Sequence, residues 1–271
     1  MRICVTCGVQ HGDPPPVRCP VCEDGRQYVG WEGQRWTTME ELREGHTNRI
    51  EALEPGITGI GTIPAFAIGQ RALLVQTPQG NLLWDCVSLL DDDTVRAVRD
   101  LGGIDAIAIS HPHYYATMVD WSREFSAPVH LHQADRRWVM RPDACVEHWS
   151  GDAHELFGGL VLLRLGGHFP GATVALWPSG AGGSGALLAG DVLQVVQDRR
   201  YVSFMYSYPN LVPLPARTVA RIARRVDGLA FDRLYGAWWG REVERDARAA
   251  VARSAKRYLA ALASEDDELE L

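Results

Sequence analysis

The residues able to do chemistry fall into two groups. The first is a set of four cysteines near the N-terminus, Cys4-Val5-Thr6-Cys7-Gly8 and Cys19-Pro20-Val21-Cys22, with Pro14-Pro15-Pro16 between them. Two thiolates separated by two residues can be presented to one ion by a single tight turn, and a second such turn completes a tetrahedron. Gly8 gives the first turn its backbone freedom. Disulfides or a redox pair are the alternatives. The opening residues have no apolar stretch of a secretory leader, and a redox pair belongs on a strand-to-helix turn of a larger sheet. The spacing therefore predicts one structural zinc on Cys4, Cys7, Cys19 and Cys22. A unit this short cannot bury a core, so the metal supplies its folding energy. Cys86 and Cys145 read as small core residues.

The second group is spread along the chain. The apolar run Ile104–Ile109 ends in Ser110-His111-Pro112-His113-Tyr114-Tyr115. Gly166-Gly167-His168-Phe169-Pro170-Gly171 sets a further histidine in a turn-forming loop, and Leu187-Leu188-Ala189-Gly190-Asp191 puts a carboxylate behind another apolar run. Loops at strand ends are where open sheets place reactive groups. Imidazoles and a carboxylate so placed suit a zinc- or iron-type ion. His130 and His132 share one strand face, and His132, nearer the strand end, is within plausible reach of the same point.

The elements that must position these groups are legible from periodicity. Short apolar runs at Ile63–Ile68, Ala72–Gln76 and Leu82–Trp84, split by turn residues, predict antiparallel strands. One short helix is expected within the polar linker Trp31–Gly45, at a Thr38/Glu41 capping box, and further helices from Asp91 to Leu101 and over Thr117–Phe125, Pro215–Val226 and Glu242–Leu262. Strands are expected at Ile104–Ile109, Val129–Leu131, Leu156–Leu165, Thr173–Trp177, Ala186–Ala189 and Phe231–Tyr235. Gly180–Gly185 is a hairpin tip, since no Lys-Ser/Thr follows it to cradle phosphate. The acidic end, Glu265–Glu270, reads as a solvated tail. This order fits two sheets with helices outside, an α/β sandwich.

His-Pro-His, Gly-Gly-His-Phe-Pro-Gly and Ala-Gly-Asp, in this order and each behind a strand, resemble the motifs of the metallo-β-lactamase superfamily over roughly Ile63 to Trp239. The resemblance implies an αββα sandwich with a metal at the edge of its two sheets, attached here to a small N-terminal zinc ribbon. The ribbon and linker would span 1–45 and the sandwich 46–271. It also implies that Asp85 is the aspartate standing behind the metal ligands. Two departures bear on the metal count. The family's first motif continues with an aspartate and a histidine where this chain has Tyr115 and Ala116. Its last histidine has no counterpart in Tyr235-Gly236-Ala237-Trp238-Trp239. A mononuclear site follows as the expectation, with His111, His113 and His168 as ligands and Asp191 either as a ligand or holding the water. Three imidazoles and a water make an open site in which hydroxide forms near pH 7. Tyr115, with Tyr114 as a second choice, would donate to the developing oxyanion.

The function expected is a metal-dependent hydrolase of a small ester, thioester, amide or phosphoester. Two alternatives remain: a non-haem iron oxidoreductase, similar to sulfur dioxygenases, on His111, His168 and Asp191, and a binding protein with a partial site. The cofactors are thus a ribbon zinc and one active-site zinc or iron. Specificity would lie in the loops Trp138–Gly158 and Tyr201–Pro215. Trp238 and Trp239 are either core or pocket wall.

Composition narrows the partners. The 271 residues are 46% hydrophobic, enough for a full core. A net charge of −7, with acids interleaved among the arginines of Arg217–Arg257, argues against a nucleic-acid partner. No run approaches the ~20 apolar residues of a membrane span. A cytoplasmic protein acting on a small molecule is the expectation.

Overall fold

Alternation of side chains across strands dictates the architecture of the computed structural model, which describes residues 1–263. The acidic stretch Glu265–Glu270 lies outside the described residues.

The N-terminal unit has three short strands, β1 (Arg2–Cys4), β2 (Gln10–His11) and β3 (Trp36–Thr37), in the order β2-β1-β3, with a single helical turn α1 (Pro20–Glu23). Helix α2 (Met39–Gly45) follows, and the capping box expected of Thr38 and Glu41 is formed. The unit has no core of its own: Ile3 packs with Leu42 and Leu89 of the following chain.

The first large sheet begins with β4 (Thr47–Glu54), β5 (Ile57–Ile63), β6 (Arg71–Thr77) and β7 (Gly80–Trp84), all antiparallel. Helix α3 (Asp92–Asp100), capped by Asp91, leads to β8 (Ala106–Ala108), and α4 (Met118–Phe125) leads to β9 (Val129–His132) and β10 (Val146–Trp149), which run parallel. The second sheet starts with β11 (Ala153–Glu155), β12 (Val161–Arg164) and β13 (Thr173–Trp177). It continues through the turn α5 (Gly180–Gly183) to β14 (Ala186–Gly190). Two small hairpins come next, β15 (Gln194–Val195) with β16 (Val202–Ser203) and β17 (Met205–Ser207) with β18 (Val212–Pro213). Helix α6 (Ala216–Asp227), strands β19 (Arg233–Gly236) and β20 (Glu242–Val243), and helix α7 (Ala247–Ala263) close the chain. The sheet orders are β10-β9-β8-β7-β6-β5-β4 and β11-β12-β13-β14-β19-β20.

Successive strand residues point to opposite faces. Leu73, Val75, Leu82, Trp84, Ala106 and Ala108 accordingly meet Leu162, Ala175, Trp177 and Leu188 between the sheets. Their neighbours Leu74, Leu83, Ile107, Val174 and Leu187 face outward to the helices. Those helices bury matching stripes, Val219, Ile222 and Val226 on α6 and Ala247, Ala250, Val251 and Ser254 on α7. The result is the expected αββα sandwich.

Three expectations are corrected. A strand was expected to start at Ile63, but β5 ends there, and β4 and β5 occupy a stretch for which no element was expected. Strand texture expected from Leu156 is a 3-10 turn, Phe157–Gly159, before β12. The expected mouth loop Trp138–Gly158 is broken by the edge strands β10 and β11. On β5 the side chains missing at Gly59 and Gly61 are replaced by the indole of Trp239. A Cβ at Gly59 would meet its Cη2 at 2.7 Å, and one at Gly61 its Nε1 at 2.6 Å. Among the described residues no helix is long and apolar enough to cross a membrane.

Candidate metal centre

The two sheets deliver their reactive groups to one edge. Asp85 follows β7, His111 follows β8, His168 sits in the turn between β12 and β13, and Asp191 follows β14. A backbone hydrogen bond from Thr173 N to Ser110 O, 2.9 Å, ties the sheets together beside them. Gly190 is required here: it has φ +56°, and a Cβ would lie 2.7 Å from Ser110 Oγ and 3.1 Å from Asp85 Oδ2.

His111, His113 and His168 form a cluster, and all three are buried. Ser110 Oγ lies 2.9 Å from His111 Nδ1, and His168 Nδ1 lies 3.1 Å from Met205 O. Both rings are thereby left with Nε2 facing inward. His113 turns Nδ1 to His168 Nε2 at 3.3 Å. Ligands held at ~2.0–2.1 Å around a tetrahedral zinc stand about 3.3–3.4 Å apart. Burial pushes His111 and His113 well below the ordinary imidazole range and His168 down to about 4. The rings are therefore neutral at pH 7, as ligation requires. His111 Nε2, Asp191 Oδ1 and the Tyr114 hydroxyl are buried with no hydrogen-bond partner, which fits an ion and its ligands at this point.

Asp191 stands beside this cluster rather than inside it. Its Oδ1 is 3.3 Å from His111 Nε2, and burial pushes its carboxyl up to about 7. Asp85 accepts from Ser110 N at 2.7 Å, and burial raises it to about 7 as well. It therefore fixes the residue that in turn holds His111.

Two expected positions are corrected. Tyr115 does not face the histidines; it borders a small cavity with Val9, Met118 and Arg141. The 3-10 turn Pro112–Tyr114 rotates each successive residue by about 120°, so neighbouring tyrosines diverge. Tyr114 is the one beside the site, its ring 4.4 Å from that of His111 and its hydroxyl near Asp191. His132 is also removed from the site. Its Nε2 lies 3.1 Å from Gly151 O and its Nδ1 accepts from Ala134 N, so both nitrogens serve the backbone.

The pocket above the cluster encloses about 230 Å³. His113, His168 and Asp191 lie at its base, and Ile68, Tyr208 and Trp238 stand on its sides. Trp238 is thus pocket wall, anchored by its Nε1 donating to Ile68 O at 3.2 Å, while Trp239 packs on β5. Of the two expected mouth loops only Tyr201–Pro215 contributes, through Tyr208 and Pro209. Ala67 stands beside Ile68, and the rest of the wall, Thr6, Gln27 and Tyr28, comes from the N-terminal unit. Nothing in the spacing of those residues signalled this, because docking is a tertiary event.

In the N-terminal unit Cys4, Cys7, Cys19 and Cys22 form a second buried cluster. The Sγ atoms of Cys4 and Cys22 are 3.6 Å apart and those of Cys7 and Cys19 are 3.7 Å apart. A disulfide needs ~2.05 Å, whereas sulfurs at ~2.3 Å around zinc stand about 3.8 Å apart. His11, which nothing in the sequence had singled out, is buried with Nε2 3.4 Å from Cys19 Sγ. Hydrogen bonds from Cys22 and Cys4, with a smaller contribution from His11, hold Cys19 well below the usual thiol range. Cys86 is a core residue, its thiol pushed up by burial.

No protein-family model matches the chain. Over 267 residues it is 49% identical to an uncharacterized protein of Bacillus subtilis strain 168, YmaE, with 97% of each chain covered. Among solved structures it resembles a B3 metallo-β-lactamase with an active-site glutamic acid. The TM-score is 0.55 at 18% identity, covering 84% of this chain and 97% of that one. The metallo-β-lactamase FIM-1 of Pseudomonas aeruginosa, in its mono-zinc form, gives 0.56 at 15% identity, with 78% and 95% covered.

Proposed function

The chain belongs to the family of Bacillus subtilis YmaE and has the metallo-β-lactamase fold; from that premise we propose that it is a hydrolase of a small ester, thioester, amide or phosphoester, dependent on one ion at His111, His113 and His168. The observation that carries this is the convergence of three buried, neutral imidazoles whose ligand atoms lie within 4.8 Å of one another, His113 and His168 at 3.3 Å and both lining a pocket of about 230 Å³.

A divalent ion bound there supplies Lewis-acid polarisation of a substrate oxygen and lowers the pKa of water. The other tasks fall to this chain's side chains. Asp191, at the base of the pocket and outside the three-imidazole cluster, orients water and accepts its proton. Tyr114, kept protonated by burial, lies beside Asp191 with its hydroxyl uncommitted, so that it can donate to a water or substrate oxygen held there. Tyr208 donates to Asp191 O at 2.7 Å and fixes the backbone of the same residue. Asp85 and Ser110 hold His111 in the tautomer that presents Nε2 inward. A second ion is not part of this reading, since the motif resemblance puts Tyr115 and Ala116 where two of its ligands would stand and no histidine lies in Tyr235–Trp239.

Metal analysis of gently purified protein, with turnover of p-nitrophenyl and thioester probes, tests the reading. Two zinc per chain with metal-dependent hydrolysis is the expected result. One zinc and one iron with O₂ consumption would replace it with the oxidoreductase, and zinc on the cysteines alone with the binding protein.

A further inference from the structure

The N-terminal cysteine unit is joined to the histidine pocket by more than proximity. Asp24 Oδ1 accepts from both Arg26 N (3.0 Å) and Arg26 Nη1 (2.6 Å), setting the arginine side chain at the end of the second cysteine turn. Arg26 Nε then donates to the carbonyl of His168 at 2.6 Å, and the guanidinium lies over Phe169 and Tyr206 at 4.5 and 4.6 Å. The ring of His168 is held from the other side by Met205 O, within a hairpin that the same unit grips. Ser207 Oγ donates to Arg26 O at 3.0 Å, and Asn210 Nδ2 donates to Gln27 O at 3.0 Å. Both tethers of His168, backbone and ring, therefore lead to Arg26 and its neighbour.

The next residue reaches the pocket itself. Gln27 is only 6% exposed and lines the pocket, and its Oε1 is buried with no hydrogen-bond partner. A buried amide left unsatisfied costs stability unless something else bonds to it. The remaining wall is aromatic and aliphatic except for Thr6, and among the described residues no lysine or arginine lines the pocket. Apart from an ion on the imidazoles, no cation is thus placed to pair with an anionic group, because the guanidinium of Arg26 is committed to His168 O and to the faces of Phe169 and Tyr206. The volume is below the ~300–1,000 Å³ of drug-sized sites.

We propose that the cysteine unit is a working wall of the histidine pocket, with Gln27 as a substrate-binding residue for a small uncharged acyl compound and Arg26 as the positioning residue of His168. This rests on the hydrolase reading for its substrate class and on the contacts above for its architecture.

The test uses the full-length chain loaded with cobalt(II), in which thiolate and imidazole sites absorb differently. Arg26→Ala is expected to weaken cobalt binding at the imidazoles by about 10- to 100-fold while thiolate absorption persists, and Arg26→Lys to recover part of the loss. Unchanged affinity in the alanine variant overturns the role of Arg26. If that variant also loses its thiolate absorption, full affinity in Arg26→Lys overturns it. Gln27→Ala is expected to weaken acetohydroxamate, read from the imidazole-site bands, by about three- to tenfold. KM for p-nitrophenyl acetate should rise by the same factor with kcat little changed. Equal acetohydroxamate binding by Gln27→Ala and the parent overturns the role of Gln27, as does turnover of p-nitrophenyl phosphate as fast as the acetate. Acetohydroxamate binding that depends on Gln27, in a protein that turns over no probe, defeats the hydrolase reading and leaves the wall standing.

Discussion

The molecule carries two ligand clusters built to opposite ends. The sulfur cluster has four donors and a surrounding unit with almost no core of its own. An ion there would have every position taken and would act through folding alone, by ordering the unit that walls the pocket. The imidazole cluster has three donors on two sheets that are already packed, with a pocket above them. An ion there keeps a position for chemistry and adds little to a fold that the sandwich secures. Donor number and what lies behind the donors thus separate a structural site from a reactive one, although both are equally buried.

This contrast predicts different responses to comparable damage. The largest effect on stability should come from Cys19→Ser. Loss of the sulfur-site ion, at roughly 4 kcal/mol and ~2–4 °C per kcal/mol, should lower the thermal midpoint by on the order of 10 °C in a calorimetric scan. A midpoint within a degree or two of the parent would remove the contrast. His168→Ala should reverse the pattern: one ion of two lost by elemental analysis, turnover down about a thousandfold or more, and the midpoint shifted by no more than about 3 °C. Asp191→Asn should keep both ions and reduce kcat by about 100-fold, because Asp191 stands outside the imidazole triangle. Departure of the ion in this variant would place Asp191 among the ligands. The smallest effect is expected of Ser110→Ala, which takes the hydroxyl from His111 Nδ1. A zinc competition assay should show about tenfold weaker binding at the imidazoles and none at the sulfurs.

The parts of this design that a reader of the sequence can find are those governed by local pattern. Alternation at Leu73/Leu74/Val75 and Leu82/Leu83/Trp84 announces strands buried on both faces, and Thr38 with Glu41 marks the start of α2. The His111, His168 and Asp191 motifs sit at strand ends, so their convergence was legible once the strands were. The misses share a different cause. Strands β4, β10 and β11 are edge or near-edge strands with exposed polar faces, so burial leaves little mark on them. Tyr114 and Tyr115 cannot be told apart by residue type, because a 3-10 turn decides which faces the ligands. Arg26 and Gln27 act on partners 142 and 183 residues away, a distance over which spacing carries no signal.

The indole seated over Gly59 and Gly61 carries an evolutionary consequence. Bulk at these three positions is shared as a sum, so the residues are bound to drift together. A lineage that acquires alanine or valine on that strand must first give up the tryptophan, and one that loses the tryptophan acquires a vacancy that only a larger residue on the strand can fill.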